Sequence, residues 1–301
     1  MQPSGNQPVF RFAPSPTGLL HIGHALSALI GRLIADRFGG RFLLRIEDID
    51  VVRCRPEFVA AIFEDLAWIG VTSQEPVIHQ SQRLSHYASY RDRLHHAGLL
   101  YPCFATRSEI AEANARRGGG RDPDGVPLYP GLHKQLPATV VAQRMADGEP
   151  YALRLNMGKA LEAVRRKLAG AALTMAVFDE NGRRTGRTLD PARWGDVVIA
   201  RKDTGTSYHL ACVIDDADQG VTHVVRGKDL EAATEIHRVL QILLELPEPL
   251  YHHHPLMTDV GGRKLSKRSN DTSLRALRET GVSAAAIVKD LEPHLAPYQS
   301  T

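Results

Sequence analysis

Two histidines three residues apart, His21 and His24, bracket Gly23 within the stretch RFAPSPTGLLHIGHALSALI, residues 11–30. Residues three apart share one face of a helix, so both imidazoles can address the same ligand. A glycine between them lets a flat base or a ribose approach the backbone. The two prolines and the glycine turn just ahead put Ser15 and several backbone amides where a helix is about to begin. Unpaired N–H groups and the positive end of the helix dipole attract anions at such a place, and a phosphate fits it. The H-x-G-H tetrapeptide by itself is equally compatible with two surface histidines, because short motifs recur by chance. Near the other end of the chain, a Gly261-Gly262 turn precedes Lys264, Leu265, Ser266, Lys267 and Arg268. Ammonium groups on such a turn suit a leaving pyrophosphate. Standing alone, the run equally fits a solvated basic loop or a nonspecific nucleic-acid patch.

The elements that must position these residues follow from periodicity. Residues 9–13 read as a short strand and 14–18 as a turn, after which Leu26, Leu29, Ile30, Leu33 and Ile34 recur at helical spacing until Gly39-Gly40. A second strand over 41–46 is followed by a helix around 58–69 and a third helix from about 81 to 98. Short apolar strands alternating with helices predict a parallel, doubly wound sheet whose ligands sit beyond the carboxyl ends of the strands. The pattern breaks over 101–190, with RRGGGRDPDG, several prolines, the period-2 stretch YALRLNM and the charged LEAVRRKLAG. This reads as an inserted α+β subdomain. Regularity returns with GDVVIA, SYHLACVIDD, the strand THVVRG and an apolar helix over 230–246, all expected to be further units of the same sheet. The expected division is a catalytic core over 8–100, the insertion over 101–190, the second half of the core over 191–250, and the basic loop with short helices over 251–301.

Bulk properties exclude several classes. With 301 residues, 43% hydrophobic and 24% charged, the chain builds a sizeable core and reads as an ordinary globular protein. A net charge of +3 permits a polyanionic partner without demanding one. Three scattered cysteines, Cys54, Cys103 and Cys212, give no disulfide framework and fit a reducing compartment. The start MQPSGNQP has no secretory pattern and no run has the length of a membrane span, so a cytoplasmic monomer away from membranes is expected.

Taken together, APSPTGLLHIGHA and the later KLSKR resemble the class I aminoacyl-tRNA synthetases of the glutamyl type, and the flanking RFAPSPTG, RIEDID, SYHLACVIDD and VTHVVRGKDL extend the match over residues 9–275. The resemblance implies a Rossmann-like fold in which the HIGH and KMSKS-like elements embrace ATP, accompanied by Mg²⁺ on the phosphates. It implies that His21, Gly23, His24, Lys264 and Lys267 bind ATP, with His21, His24 and Lys267 catalytic. It implies further that Arg11, Ala13 and Ser15 line an L-glutamate site, that Glu47 holds the α-ammonium, and that Tyr208 and Arg226 read the side chain. Arginine suits a carboxylate because its planar fork donates two parallel hydrogen bonds. Only 33 residues follow Arg268, where glutamyl-tRNA synthetases continue into anticodon-binding domains. That compactness resembles the glutamyl-queuosine tRNA(Asp) synthetases, which activate glutamate and attach it to queuosine in the anticodon loop of tRNA(Asp). A truncated glutamyl-tRNA synthetase charging an acceptor end, an idle RNA-binding paralogue and a small nucleotidyltransferase are the alternatives.

The chain departs from the family in one place. Many relatives carry a zinc site in the insertion, patterned C-x-C and Y-x-x-x-C, where this sequence has Cys103, Ala105, Tyr129 and His133. A closed zinc site takes four ligands, and Cys103, Tyr129 and His133 make three of unusual type, so no zinc is expected.

Overall fold

The computed structural model describes residues 7–73, 75–257 and 272–299. Lys264 and Lys267 lie outside the described residues. In chain order the elements are β1 (Val9–Phe12), α1 (Ile22–Arg37), β2 (Arg41–Ile46), α2 (Pro56–Trp68), β3 (Ile78–His79), α3 (Leu84–His96), β4 (Leu100–Cys103), α4 (Arg107–Arg116), α5 (Ala138–Ala146) and β5 (Ala152–Leu155). There follow α6 (Met157–Lys167), β6 (Thr174–Phe178), β7 (Arg184–Thr188), β8 (Val198–Ala200), α7 (Tyr208–Asp218), β9 (His223–Gly227), α8 (Thr234–Leu244), β10 (Leu250–His254), α9 (Leu274–Glu279) and α10 (Ala284–Leu295).

Among the described residues a seven-stranded sheet runs in the order β3-β2-β1-β9-β10-β6-β7. Every neighbouring pair is parallel except the β6/β7 hairpin at the edge. This is the expected α/β, doubly wound, Rossmann-like arrangement with one antiparallel edge strand. The sequence explains its centre: VFRF of β1 is buried throughout and RFLLRI of β2 is buried after its first residue, as parallel strands covered on both faces must be. Helix α1 buries Ala25, Leu26, Ala28, Ile30, Ile34 and Ala35. One core joins α1, α2 and α10 to the sheet, and a second joins α3, α6, α7 and α8 to a smaller sheet.

That smaller sheet, β4-β5-β8, is antiparallel and corrects one expectation. The GDVVIA segment supplies β8, which pairs with β5 through Leu153 and Ala200 instead of joining the large sheet. Conversely, the β6/β7 hairpin from the expected insertion extends the large sheet, with Val177 of β6 in register with Tyr251 of β10. A three-residue apolar run satisfies either sheet locally, and which edge it joins depends on contacts far away in sequence.

Order reverses between β1 and β9. The chain passes from β1 through α1 to β2 on one side, and β9 lies on the other, with Phe10 in register with His223. Ligands of open α/β sheets bind in the crevice at such a switch point, beyond the strands' carboxyl ends.

Candidate active site

A cavity of about 500 Å³ opens at that crevice. Arg11, Ala13 and Ser15 reach it from the end of β1, His21, Gly23 and His24 from the start of α1, Glu47 from the end of β2, Tyr208 from the start of α7, and Arg226 from β9. The structure thus brings together all nine of the sequence-predicted site residues that it describes.

The loop after β1 differs from expectation in one respect. Helix α1 begins at Ile22, so Ser15 lies in the preceding loop and not at the helix N-terminus. The loop is tied to the segment that joins β2 to α2, where Glu47 N–H donates to Pro14 O at 3.0 Å and Arg55 N–H to Pro16 O at 3.3 Å.

His21 is the N-cap of α1 and His24 its third residue, and the two form a reciprocal capping box. Nδ1 of His21 accepts from Gly23 N–H at 3.1 Å, and Nδ1 of His24 accepts from His21 N–H at 3.1 Å. An acceptor carries no proton, so each neutral ring holds its proton on Nε2. Ring centroids stand 3.8 Å apart. A Cβ at Gly23 would meet Cε1 and Nδ1 of His21 at 3.0 and 3.1 Å, so the glycine first makes room for the His21 ring.

Beneath the cavity lies a buried charge network. Arg11 donates Nε–H and Nη2–H to the two carboxylate oxygens of Asp216 at 3.1 and 3.2 Å. Arg45, wholly buried, donates to Asp216 at 2.7 Å, to Gln219 at 2.9 Å and to Glu47 at 3.2 Å. Burial works against the Arg11 charge, but Asp216 and Cys212 together more than offset it and the pKa is raised. For Asp216 burial pushes the carboxyl up, and Arg11 and Arg45 together bring it well below the usual carboxylate range. Burial dominates at Glu47, whose pKa is raised despite Arg45 and Arg11. The side-on edge of Arg11 that a substrate carboxylate would use is therefore occupied by Asp216. Sequence reasoning missed Arg45 and Asp216 as partners, although a charged residue inside a strand as apolar as RFLLRI was the available signal.

Arg226 stands differently. Its Nη2 donates to Thr234 Oγ1 at 2.6 Å, Nη1 to Tyr208 Oη at 3.2 Å and to His237 Nδ1 at 3.4 Å, and Nε to His253 Nε2 at 3.3 Å. None of these partners is an anion. Burial, reinforced by Arg226 itself, lowers His237 well below the ordinary histidine value and His253 to about 2. The imidazoles stay neutral, and a buried cation is left with neutral partners only. Among the described residues it is matched by no carboxylate hydrogen bond, so the site favours an anionic ligand.

The Cys103, Tyr129 and His133 corner is knit by hydrogen bonds. His133 Nδ1 accepts from Phe104 N–H at 3.1 Å, and His133 N–H donates to Tyr129 Oη at 2.7 Å. The Arg154 guanidinium lies 4.0 Å from the Tyr129 ring centroid and that of Arg144 lies 4.2 Å from Phe104. Among the described residues no group of three or more His, Cys, Asp or Glu is placed to hold a metal, and no helix is long and apolar enough to cross a membrane.

The family model of the tRNA synthetases class I (E and Q), catalytic domain, matches residues 9–293. The chain is 44% identical to the Glutamyl-Q tRNA(Asp) synthetase of Rhodobacter capsulatus, covering 93% of this chain and 98% of that one. It is 38% identical to Glutamate--tRNA ligase 2 of Methylobacterium sp., covering 93% of this chain and 58% of the ligase. Its structure resembles the crystal structure of glutamate-tRNA synthetase from Elizabethkingia anophelis with a TM-score of 0.69 at 27% identity, covering 92% of this chain and 54% of that one. The chain thus spans little more than half the length of these two longer proteins. With the motifs, the parallel sheet and the cavity at its switch point all in agreement, the chain belongs to the class I tRNA synthetases (E and Q), a family of ligases, and carries their catalytic domain.

Proposed function

We propose that the protein activates L-glutamate with ATP in the absence of RNA and transfers the glutamyl group to queuosine in the anticodon loop of tRNA(Asp). The observation that carries the glutamate assignment is Arg226, a buried cation with four neutral partners on the wall of the cavity. The side-chain carboxylate of glutamate supplies the missing charge, and Glu47, which lines the same cavity, receives the α-ammonium. The acceptor assignment is supported by the likeness, along nearly its whole length, to a relative named Glutamyl-Q tRNA(Asp) synthetase.

In this reading the α-carboxylate oxygen attacks the α-phosphorus of ATP, the bond to the β-phosphate oxygen breaks, and pyrophosphate leaves with the electron pair. The chain's part is positioning and charge stabilisation. His21 and His24, with Nδ1 committed to the capping box, present Nε2–H donors to phosphate oxygens. Lys267, with Lys264 near it in sequence, stabilises the charge on the departing pyrophosphate. Mg²⁺ brought in with ATP would be held by the phosphate oxygens and water and would supply charge neutralisation there. In the second step a hydroxyl oxygen of the RNA attacks the acyl carbon, an ester bond forms, and the acyl–phosphate bond breaks. AMP leaves with the electron pair, and its phosphate takes up the hydroxyl proton. The three free thiols fit a cytoplasmic setting for this chemistry.

The test is glutamate-dependent charging of tRNA(Asp) with and without queuosine, alongside pyrophosphate exchange without RNA. Exchange without RNA and charging of the queuosine form alone are expected. Charging of both forms through the terminal ribose would support an acceptor-end ligase, exchange only with RNA present would overturn RNA-independent activation, and absence of both exchange and charging would support an idle paralogue.

A further inference from the structure

Three side chains surround Arg226 from behind. His253 stands beside it on β10, in register with it across the parallel pair. Thr234 and His237 meet it from α8, three residues apart on one face of that helix. None of the three lines the cavity, whereas Arg226 and Tyr208 do. Of the five N–H groups of a guanidinium, one goes to each of Thr234, His237, His253 and Tyr208, which fixes its orientation and leaves one Nη2–H. The same bonds fix the protons of the partners. Nε2 of His253 accepts from Arg226, so the Thr234 hydroxyl, which takes the Nη2–H, donates its own hydrogen to that nitrogen at 3.3 Å. Nδ1 of His237 accepts as well, so its proton lies on Nε2, a buried N–H without a partner. An orphaned donor costs stability, and the fold bears that cost beside Arg226. Carboxylates are near at hand but used elsewhere: Arg11 and Arg45 share Asp216. Glu235, next to Thr234 on α8, accepts from Trp194 Nε1 and Arg193 Nε, each at 2.9 Å.

We infer that Thr234, His237 and His253 are positioning residues for Arg226 and that, by orienting it while withholding an anion, they set the preference for glutamate over glutamine. The inference rests on the proposed activation of glutamate in the cavity. At the end that Arg226 meets, the two amino acids differ by an amide nitrogen against a carboxylate oxygen and by one charge, so shape alone separates them poorly. In a cage without an anion, glutamate neutralises the buried cation and glutamine leaves it unmatched. A carboxylate built into the cage would reverse that balance, because the cation would be matched before any substrate arrives. Burial and Arg226 keep both imidazoles unprotonated, so neither adds a like charge that would push the guanidinium out of place.

The experiment uses the full chain and compares glutamate with glutamine in pyrophosphate exchange, with and without tRNA(Asp), so that a need for RNA does not mask the result. His253→Glu puts a carboxylate where Nε2 now accepts, and His253→Gln puts a neutral oxygen there. Thr234→Asp and Thr234→Asn repeat the comparison from α8, and thermal melting identifies which variants are folded. The readout is the ratio of kcat/KM for glutamate to that for glutamine, which a general loosening of the site does not shift, since it lowers both alike. We expect this ratio to be roughly tenfold or more lower in a folded acidic variant than in its neutral counterpart, with the loss mainly in KM for glutamate. A smaller difference overturns the inference. A wild-type protein that activates both amino acids equally well also overturns it and leaves activation standing. One that activates neither overturns the activation reading, and the inference with it.

Discussion

The Arg226 guanidinium donates to the Tyr208 phenol oxygen across 3.2 Å, in a site where its three other partners are a threonine hydroxyl and two neutral imidazoles. A cation buried in this company is stabilised when an anion arrives. Arg226→Ala is therefore expected to lower kcat/KM for glutamate activation by about 2–4 kcal/mol, because the substrate carboxylate is left desolvated and unpaired. Arg226→Lys should recover little, since a single ammonium does not reproduce the fork. Pyrophosphate exchange against glutamate concentration checks this, and unaltered kinetics in Arg226→Ala would remove the residue from the substrate site.

His21 serves the helix as well as the ligand, and substitution can separate the two. His21→Ala removes an N-cap and should cost about 0.5–2 kcal/mol of stability. His21→Asn retains a side-chain oxygen able to accept the Gly23 N–H, so its unfolding midpoint should return toward wild type while the activation rate stays depressed. Denaturant melts with pre-steady-state adenylate formation distinguish these effects. Recovery of the rate in His21→Asn would mean that the imidazole has no role beyond capping.

Lys267 enters through sequence alone. If its charge is used as pyrophosphate departs, Lys267→Ala lowers the maximal activation rate by about 2–4 kcal/mol and leaves the glutamate dependence nearly unaltered, because the contact belongs to the transition state. A variant with wild-type turnover would show that KLSKR is only a solvated basic turn.

Asp65 gives a pH-dependent term in stability. It is buried beneath Arg278, which donates to it at 3.4 Å, and burial pushes its carboxyl up to about 6 against the pull of Arg278 and Arg275. The folded protein then holds a proton that the unfolded chain, titrating near about 3.9, has released. The contribution is full below about pH 4, declines as pH rises through about 6, and is gone by about pH 7. The stability difference between wild type and Asp65→Asn should therefore move in favour of the variant by roughly 1–2 kcal/mol from pH 4.5 to 7.5, a value reduced for solvent screening around Arg278. Paired urea melts at the two pH values check it, and a constant difference would place the Asp65 pKa near its ordinary value.

The sequence by itself determined the elements around the HIGH motif and nine of the residues that line the cavity. The strand over 41–46 and the helix behind HIGH have local periodicities that burial in a parallel sheet enforces. The nine described motif residues meet because each lies where a strand ends or a helix begins, and the switch point of the sheet collects those ends. Tertiary structure alone decided which sheet receives β8, that Arg11 is claimed by an aspartate 205 residues away, and that Arg226 is left with neutral partners. No local period encodes a pairing over such separations. Whether a buried charge is matched or left waiting for a ligand is settled only when the folded chain has excluded water and fixed every neighbour.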